Sequence, residues 1–149
     1  MSVETWTARI STRDPDRFDI TRKSGGPDGE VFAPSWAILR PALDARRKAT
    51  AMRDVADEMS DSLVRAAYHA KINESADDLE REAWERYVPA YMAEMRRSYA
   101  DNRAAWEGLL ARSRVVLVCY CTDAARCHRT LLAGILGKLG ADVRGELPS

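Results

Sequence analysis

The stretch RVVLVCYC, residues 114–121, constrains the fold of this chain more than any other. Its apolar run is continuous, whereas a strand with one face in water alternates apolar and polar residues. Continuous runs of this kind are typical of strands buried on both faces of a parallel sheet. An apolar-faced helix pattern follows over residues 131–139, and ADVRGE, residues 141–146, can form one more strand. The sequence therefore predicts an α/β fold with a small, mostly parallel sheet flanked by helices.

The rest of the chain predicts two short strands and then a long helical section. Residues 5–11 and 17–22 are rich in β-formers and enclose the turn TRDPD. Residues 50–112 contain almost no strand signal. The polar NES, residues 73–75, predicts a break between two helices, with Ser75 as the cap of the second. The first of these helices is indicated by an apolar residue at every fourth position: Val55, Met59, Leu63 and Ala67.

Composition is that of a soluble protein with one domain. A length of 149 residues suits a single domain over residues 1–149. Lys plus Arg and Asp plus Glu both number 23, so the net charge is zero and no overall field attracts nucleic acid. The N-terminus lacks a signal-peptide pattern, and no apolar run approaches the roughly 18 residues of a membrane span. We therefore expect a cytoplasmic protein without a membrane partner, whose three cysteines are thiols.

Every cysteine of the chain lies in VCYCTDAARCHRT, residues 118–130. In an open α/β sheet, ligands bind beyond the carboxyl ends of the strands, and this segment follows such an end. Cys119 and Cys121 lie on one face of the predicted strand and Tyr120 on the other. The next helix begins with three side chains suited to chemistry, namely Cys127, His128 and Arg129. This segment is the candidate site, and three interpretations of its chemistry are open.

The first interpretation is a zinc site. Cysteine and histidine are the ligands that zinc prefers, and the segment offers Cys119, Cys121, Cys127 and His128. However, the spacing C-x-C-x5-C-H matches no zinc knuckle, and one strand end with one helix start rarely offers four tetrahedral ligands. The sequence therefore predicts no metal, and it identifies no cofactor.

The second interpretation is a reactive thiol. A cysteine at a helix N-terminus beside His and Arg is expected to have a lowered pKa, and its thiolate is the nucleophile. Cys127 is predicted to be the most reactive thiol, with Cys121 as the alternative catalytic cysteine and His128 as the catalytic partner. The C-x5-R spacing of phosphatases and rhodaneses is not matched before Arg129, since neither Ala124 nor Asp123 is a cysteine.

The third interpretation is an anion site. The positive end of the helix dipole disfavours each basic residue there by about 0.3–1 kcal/mol, yet Arg126, His128 and Arg129 crowd this helix start. A bound phosphate or carboxylate would offset them, and Asp123 is the internal alternative. Arg129 is the predicted ligand because its planar fork grips phosphate with two hydrogen bonds. If a carboxylate of the chain itself forms an ion pair with Arg129, its role is structural and no ligand is predicted there.

A second polar cluster follows the early strand and runs into the loop KSGGPDG, residues 23–29. Backbone amides in such loops can bind anions. If the two strands are parallel neighbours, both clusters face one crevice and Arg22 reaches the anion site. The expected ligand is a phosphate-bearing small molecule of the nucleotide class. The predicted anion-binding residues are Arg129, Arg22, Lys23 and Ser24, supported by Asp19, Asp123 and Tyr120.

Four stretches of the chain together resemble one protein family. They are DITRKSGG, FAPSW, YMAEMRRSYADNRAAWEGLL and VVLVCYCTDAARCHRTLLAGILGKLGA..GE. In this order they resemble the family catalogued as domain of unknown function 488, small bacterial and phage proteins in which a hydrophobic strand ends in cysteine and Cys-His-Arg opens the next helix. The resemblance implies an α/β fold and leaves the activity open. The residues that match the family pattern are Asp19, Arg22, Cys121, Cys127, His128 and Arg129.

The resemblance covers residues 5–45 and 85–147. Residues 46–84 are predicted to be a helical insertion relative to shorter members, and dispensable for folding of the sheet. The apolar side of this segment can cover the core or pair with a second copy, so a homodimer is one predicted partner. Three function classes stay open: an anion-binding protein, a thiol-dependent enzyme, and a non-catalytic interaction module.

Overall fold

The computed structural model describes residues 2–58 and 63–148. Within them, four strands form one sheet in the order β2-β3-β1-β4, and every pairing is parallel. This confirms the predicted α/β fold with a small parallel sheet. The strands are β1 (Glu4–Arg9), β2 (Arg17–Asp19), β3 (Arg114–Cys119) and β4 (Asp142–Glu146).

Helices account for most of the remaining described residues. No helix in this part of the chain has the length and apolarity needed to cross a membrane. The helices are α1 (Gly26–Glu30), α2 (Trp36–Glu58), α3 (Leu63–Asp101), α4 (Arg103–Leu110) and α5 (His128–Lys138), with a 3-10 turn at Ala124–Arg126.

Strand β3 lies inside the sheet, between β1 and β2, as its apolar run predicts. Its residues from Val115 to Cys119 are all at most 1% exposed. Burying such a side chain contributes about 1.5–3 kcal/mol, so this strand is a main source of stability. Pairing of Arg9 with Cys119, and of Asp19 with Val118, brings the carboxyl ends of three strands to the same edge of the sheet.

The described residues fall into two compact units. One comprises the chain up to Ser35 together with the chain from Tyr91 onward, and it holds the whole sheet. The other is helical and spans Trp36–Ala90. Within the helical unit, Arg53 forms ion pairs with Asp77 and Glu80 at 2.6 and 2.9 Å.

The helical unit departs from the sequence prediction in two respects. Helix α3 continues through residues 73–75, where a break is predicted, because local polarity is a weak determinant that helix packing overrides. The predicted apolar face is not the buried one: Val55 is 51% exposed, whereas Ala49 and Ala56 are buried. Of the other predicted positions, Ala67 is exposed, and Met59 and the side chain of Leu63 lie outside what the structure describes.

An ion-pair cluster ties the loop between β1 and β2 to the amino end of β3. Arg114 donates hydrogen bonds to Asp14 at 2.7 Å and to Asp16 at 3.0 Å. The hydrogen bond from Arg114, followed by one from the backbone of Asp16, lowers the pKa of the Asp14 carboxyl below its ordinary value of 3.8. The cluster thus stabilises the edge of the sheet opposite the candidate site.

This cluster makes stability depend on pH. A carboxyl whose pKa is lowered by folding stabilises the protein above its ordinary pKa, and this contribution disappears as the pH falls through the lower folded value. We expect Asp14→Asn to destabilise the protein at pH 7 and to have a smaller effect as the pH drops below about 4. Urea unfolding of both proteins across this range measures the difference, with exposed Asp28→Asn as the control. An effect of Asp14→Asn that does not change with pH would contradict the assignment.

Candidate functional site

The candidate site lies in the loop that joins the carboxyl end of β3 to the start of α5. Asp123 accepts a hydrogen bond from the backbone N–H of Ala125 at 3.0 Å and so caps the 3-10 turn. Cys127 is the N-cap residue of α5. Asp123 therefore has the local capping role that the sequence offered as the alternative to a bound anion.

This loop gathers all three cysteines. The sulfur atoms of Cys119, Cys121 and Cys127 lie within 4.8 Å of one another, close enough for one metal ion to contact all three. Cys119 and Cys127 are each 1% exposed, and their sulfurs are in contact. The two sulfurs lie at bonding distance, but their Cα atoms are 7.9 Å apart, beyond the 4.4–6.8 Å that a disulfide usually spans, so we expect both residues to be thiols in the reduced protein. Cys121, in contrast, is partly exposed.

Arg129 contacts two of the three cysteine sulfurs and the carbonyl of the third cysteine. Its side chain is 1% exposed, and Nη1 donates to the Cys121 carbonyl at 2.7 Å. The same Nη1 lies 3.1 Å from the sulfur of Cys119 and 3.5 Å from that of Cys127. Nε and Nη2 donate to the carboxylate of Glu146, on β4, with a shortest distance of 2.8 Å. A structural carboxylate therefore occupies the fork of Arg129, and the predicted anion at this fork is not supported.

His128 is buried beside the cluster, at 6% exposure. Its Nε2 lies 2.8 Å from the carbonyl oxygen of Ile20, and its Nδ1 lies 3.9 Å from the Cys127 sulfur. Because a carbonyl only accepts hydrogen bonds, Nε2 must carry the proton. In the neutral ring, the lone pair of Nδ1 then faces the Cys127 sulfur.

The second predicted cluster lies at the end of β2. Ser24 donates to Asp19, and its hydroxyl lies 2.8 Å from the Tyr120 hydroxyl, so the loop after β2 contacts the residue that follows β3. The Lys23 ammonium lies 5.2 Å from the centre of the Tyr120 ring. The structure thus brings together the two strand ends, as predicted for parallel neighbours.

Arg22 is directed elsewhere. Its guanidinium donates to the carbonyls of Pro34 at 3.1 Å and Ala33 at 3.2 Å, and it lies 3.7 Å from the Glu30 carboxylate. These partners fix the segment between α1 and α2. The prediction that Arg22 joins Arg129 around an anion finds no support in this arrangement, because its donors serve the backbone.

A cleft of about 500 Å³ opens at the carboxyl edge of the sheet. Its walls include Arg129 and Glu146, together with Arg9 from the end of β1 and Thr122 from the site loop. Sequence reasoning missed Arg9 and Glu146 as site residues. Glu146 is the last residue of the fourth stretch that resembles the family, and this resemblance was the signal that could have identified it. Arg9 had none, because an exposed arginine at a strand end is common.

These observations define a class: a small parallel α/β protein with a cysteine cluster at the carboxyl end of its central strand. The family model DUF488-N3a, described as the active DUF488-N3 subclade, matches residues 43–140, about two thirds of the chain. The chain therefore belongs to the DUF488 family. Comparison with curated proteins and with solved structures gave no match.

The stretch that the family model matches contains the candidate site. It includes the Cys-His-Arg motif, residues 127–129, and all three cysteines. The matched range also spans residues 46–84. That the segment is an insertion relative to shorter members, and dispensable for the sheet, stays a prediction.

Proposed function

We propose that this protein is a thiol-dependent enzyme with Cys121 as its nucleophile. The observation that carries the proposal is the cysteine cluster itself: three sulfurs converge beside a buried arginine, and one of the three cysteines is partly exposed. A purely structural use of cysteine as a small apolar residue would not require a buried cation in contact with two sulfurs.

Exposure selects Cys121 over Cys127. A nucleophile must contact its substrate, and Cys127 and Cys119 are each only 1% exposed. Cys121 is the first residue of the site loop after Tyr120 and is partly exposed. The sequence placed Cys127 first because of its position at the helix start, which says nothing about burial.

Arg129 acts here as a positioning residue. Its hydrogen bond to the Cys121 carbonyl, at 2.7 Å, fixes the backbone that carries the nucleophile. The same guanidinium also contacts the sulfurs of Cys119 and Cys127, at 3.1 and 3.5 Å. Its ion pair with Glu146 holds the guanidinium in place from the other side.

The cleft beside Thr122 provides room for a substrate. A volume of about 500 Å³ lies within the usual range for small-molecule sites. Its polar lining consists of hydroxyl groups from Ser11, Thr12 and Thr122, the Arg9 guanidinium, and the Arg129–Glu146 ion pair. Such a lining suits a phosphate-bearing small molecule, including a nucleotide, and Arg9 replaces Arg129 as the proposed anion contact.

The proposed reaction is a nucleophilic displacement in two steps. The Cys121 thiolate donates an electron pair to an electrophilic atom of the substrate, and the leaving group departs with its bonding pair. Water or a second hydroxyl-bearing acceptor then attacks the same atom, its proton passes to the leaving group or to solvent, and the thiolate is regenerated. The description of the matched subclade as active agrees with catalysis.

Limited alkylation tests the proposal. Reduced protein, treated with chelator, is exposed to one equivalent of iodoacetamide at pH 7, and the labelled cysteine is identified by peptide mass spectrometry. We expect Cys121 to carry most of the label, and Cys121→Ser to lose it. The matched control is Cys127→Ser, which should keep labelling at Cys121. Preferential labelling of Cys119 or Cys127 in the native protein would contradict the assignment.

A further inference from the structure

We infer that Cys119, Cys121 and Cys127 form a binding site for a thiophilic divalent cation of the Zn²⁺ class. The spacing in the sequence argues against such a site, so the inference comes from the three-dimensional arrangement alone. It goes beyond the proposed catalysis, and the two claims fail independently.

The sulfur positions fit a common ion. Zinc–sulfur bonds are about 2.3 Å long, so two sulfurs of a tetrahedral site are ~3.8 Å apart. The three sulfurs here lie within 4.8 Å of one another. Cys119 and Cys127 have their sulfurs in contact while their Cα atoms are 7.9 Å apart, so rotation of the side chains can separate the sulfurs to admit an ion.

The charges around the sulfurs favour occupancy. Three thiolates and one divalent cation carry a net charge of −1, which needs compensation in a buried site. Arg129 supplies a positive charge and donates from Nη1 towards the sulfurs of Cys119 and Cys127. Hydrogen bonds of this kind to ligand atoms are typical of the groups that surround bound metals. The remaining negative charge lies on Glu146, whose side chain is 34% exposed and reaches solvent.

His128 adjoins Cys127 and is the proposed fourth ligand, outside the group of three sulfurs that lie within 4.8 Å of one another. Metal-binding histidines usually donate their second ring N–H to a carboxylate or a backbone carbonyl, and Nε2 of His128 has this relation to Ile20. This tautomer leaves the lone pair on Nδ1, which lies 3.9 Å from the Cys127 sulfur. For zinc–nitrogen bonds of about 2.0–2.1 Å, the expected sulfur–nitrogen separation is ~3.6 Å.

Metal binding has a consequence for the proposed enzyme. An ion held by all three sulfurs occupies the Cys121 sulfur and withdraws it from reaction with substrate. The ion is therefore expected to be a reversible inhibitor, and removal of metal should restore the reactive thiol.

Titration of the reduced full-length protein with Cd²⁺ tests the site, because thiolate-to-metal charge transfer gives an ultraviolet absorption that reports ligation directly. We expect saturation at one equivalent, displacement by Zn²⁺, and loss of Cys121 labelling when Cd²⁺ is bound. Cys121→Ser should weaken binding at least about tenfold, and since Cys121 is partly exposed this variant should fold. Circular dichroism confirms that it does.

The two histidines of the chain offer a matched comparison for the fourth ligand. His128→Ala should weaken Cd²⁺ binding, whereas His69→Ala, in the helical unit, should leave it unchanged. Absence of the charge-transfer band in protein with three titratable thiols would overturn the metal site. So would equal affinity in the native protein and Cys121→Ser. Neither result would alter the outcome of the alkylation test without metal.

Discussion

Arg129→Ala is expected to lower the free energy of unfolding by about 1–3 kcal/mol, because it removes a fully buried side chain and leaves its hydrogen-bond acceptors without a donor. Arg129 is fully buried, and its guanidinium holds β4 through Glu146 and the site loop through the Cys121 carbonyl. Its loss therefore leaves acceptors without donors in both elements. Urea unfolding followed by circular dichroism measures the change.

The control for Arg129 is an exposed ion pair on the same strand. Arg144 lies 2.8 Å from Asp142 within β4, and both side chains are about half exposed. Exposed pairs contribute little to stability because solvent screens them, so Arg144→Ala should have a small effect. If Arg129→Ala were no more destabilising than Arg144→Ala, the guanidinium would not be the structural centre of the site.

Trp106→Ala is expected to cost about 3–5 kcal/mol, the range for removing a large aromatic side chain from a core. Trp106, in α4, is fully buried, and its ring packs edge-on against Phe32 at 4.9 Å and Tyr99 at 5.5 Å. Its Nε1 also donates to the Ser98 hydroxyl at 3.1 Å. The mutation opens a cavity next to the segment that follows α1, and thermal unfolding measures the loss.

Trp36 provides the comparison for Trp106. It begins α2 and is 43% exposed, so truncation creates no cavity. We expect Trp36→Ala to change the free energy of unfolding by less than about 0.5 kcal/mol. Equal effects of the two substitutions would contradict the placement of Trp106 in the core.

The sequence was most informative where one strand is buried on both faces. Residues 114–121 carry no alternation, and this identified the interior strand and the edge of the sheet where a site can form. The sequence also predicted that the two polar clusters share one crevice if their strands are parallel neighbours, and β2 and β3 are such neighbours, with Ser24 in contact with Tyr120. Both results depend on local periodicity and on the general topology of parallel sheets, which a sequence displays directly.

The details of the site depend on contacts that local patterns do not show. Glu146 occupies the fork of Arg129 from 17 residues further along the chain, on a strand whose register the sequence does not reveal. The convergence of three sulfurs likewise depends on how the loop folds between β3 and α5. For the same reason, the burial of Cys127 was not apparent, and helix position alone made it the favoured thiol.

We expect folding to make Cys121 a reactive thiol, and a comparison of two alkylation rates tests this expectation. The second-order rate constant for iodoacetamide at Cys121 is measured at pH 7 in metal-free native protein and in the same protein unfolded in urea. We expect a native rate higher by about tenfold or more, because in the folded chain Arg129 fixes the Cys121 backbone and the thiol is partly exposed beside two other sulfurs. A native rate equal to or below that of the unfolded chain would contradict it.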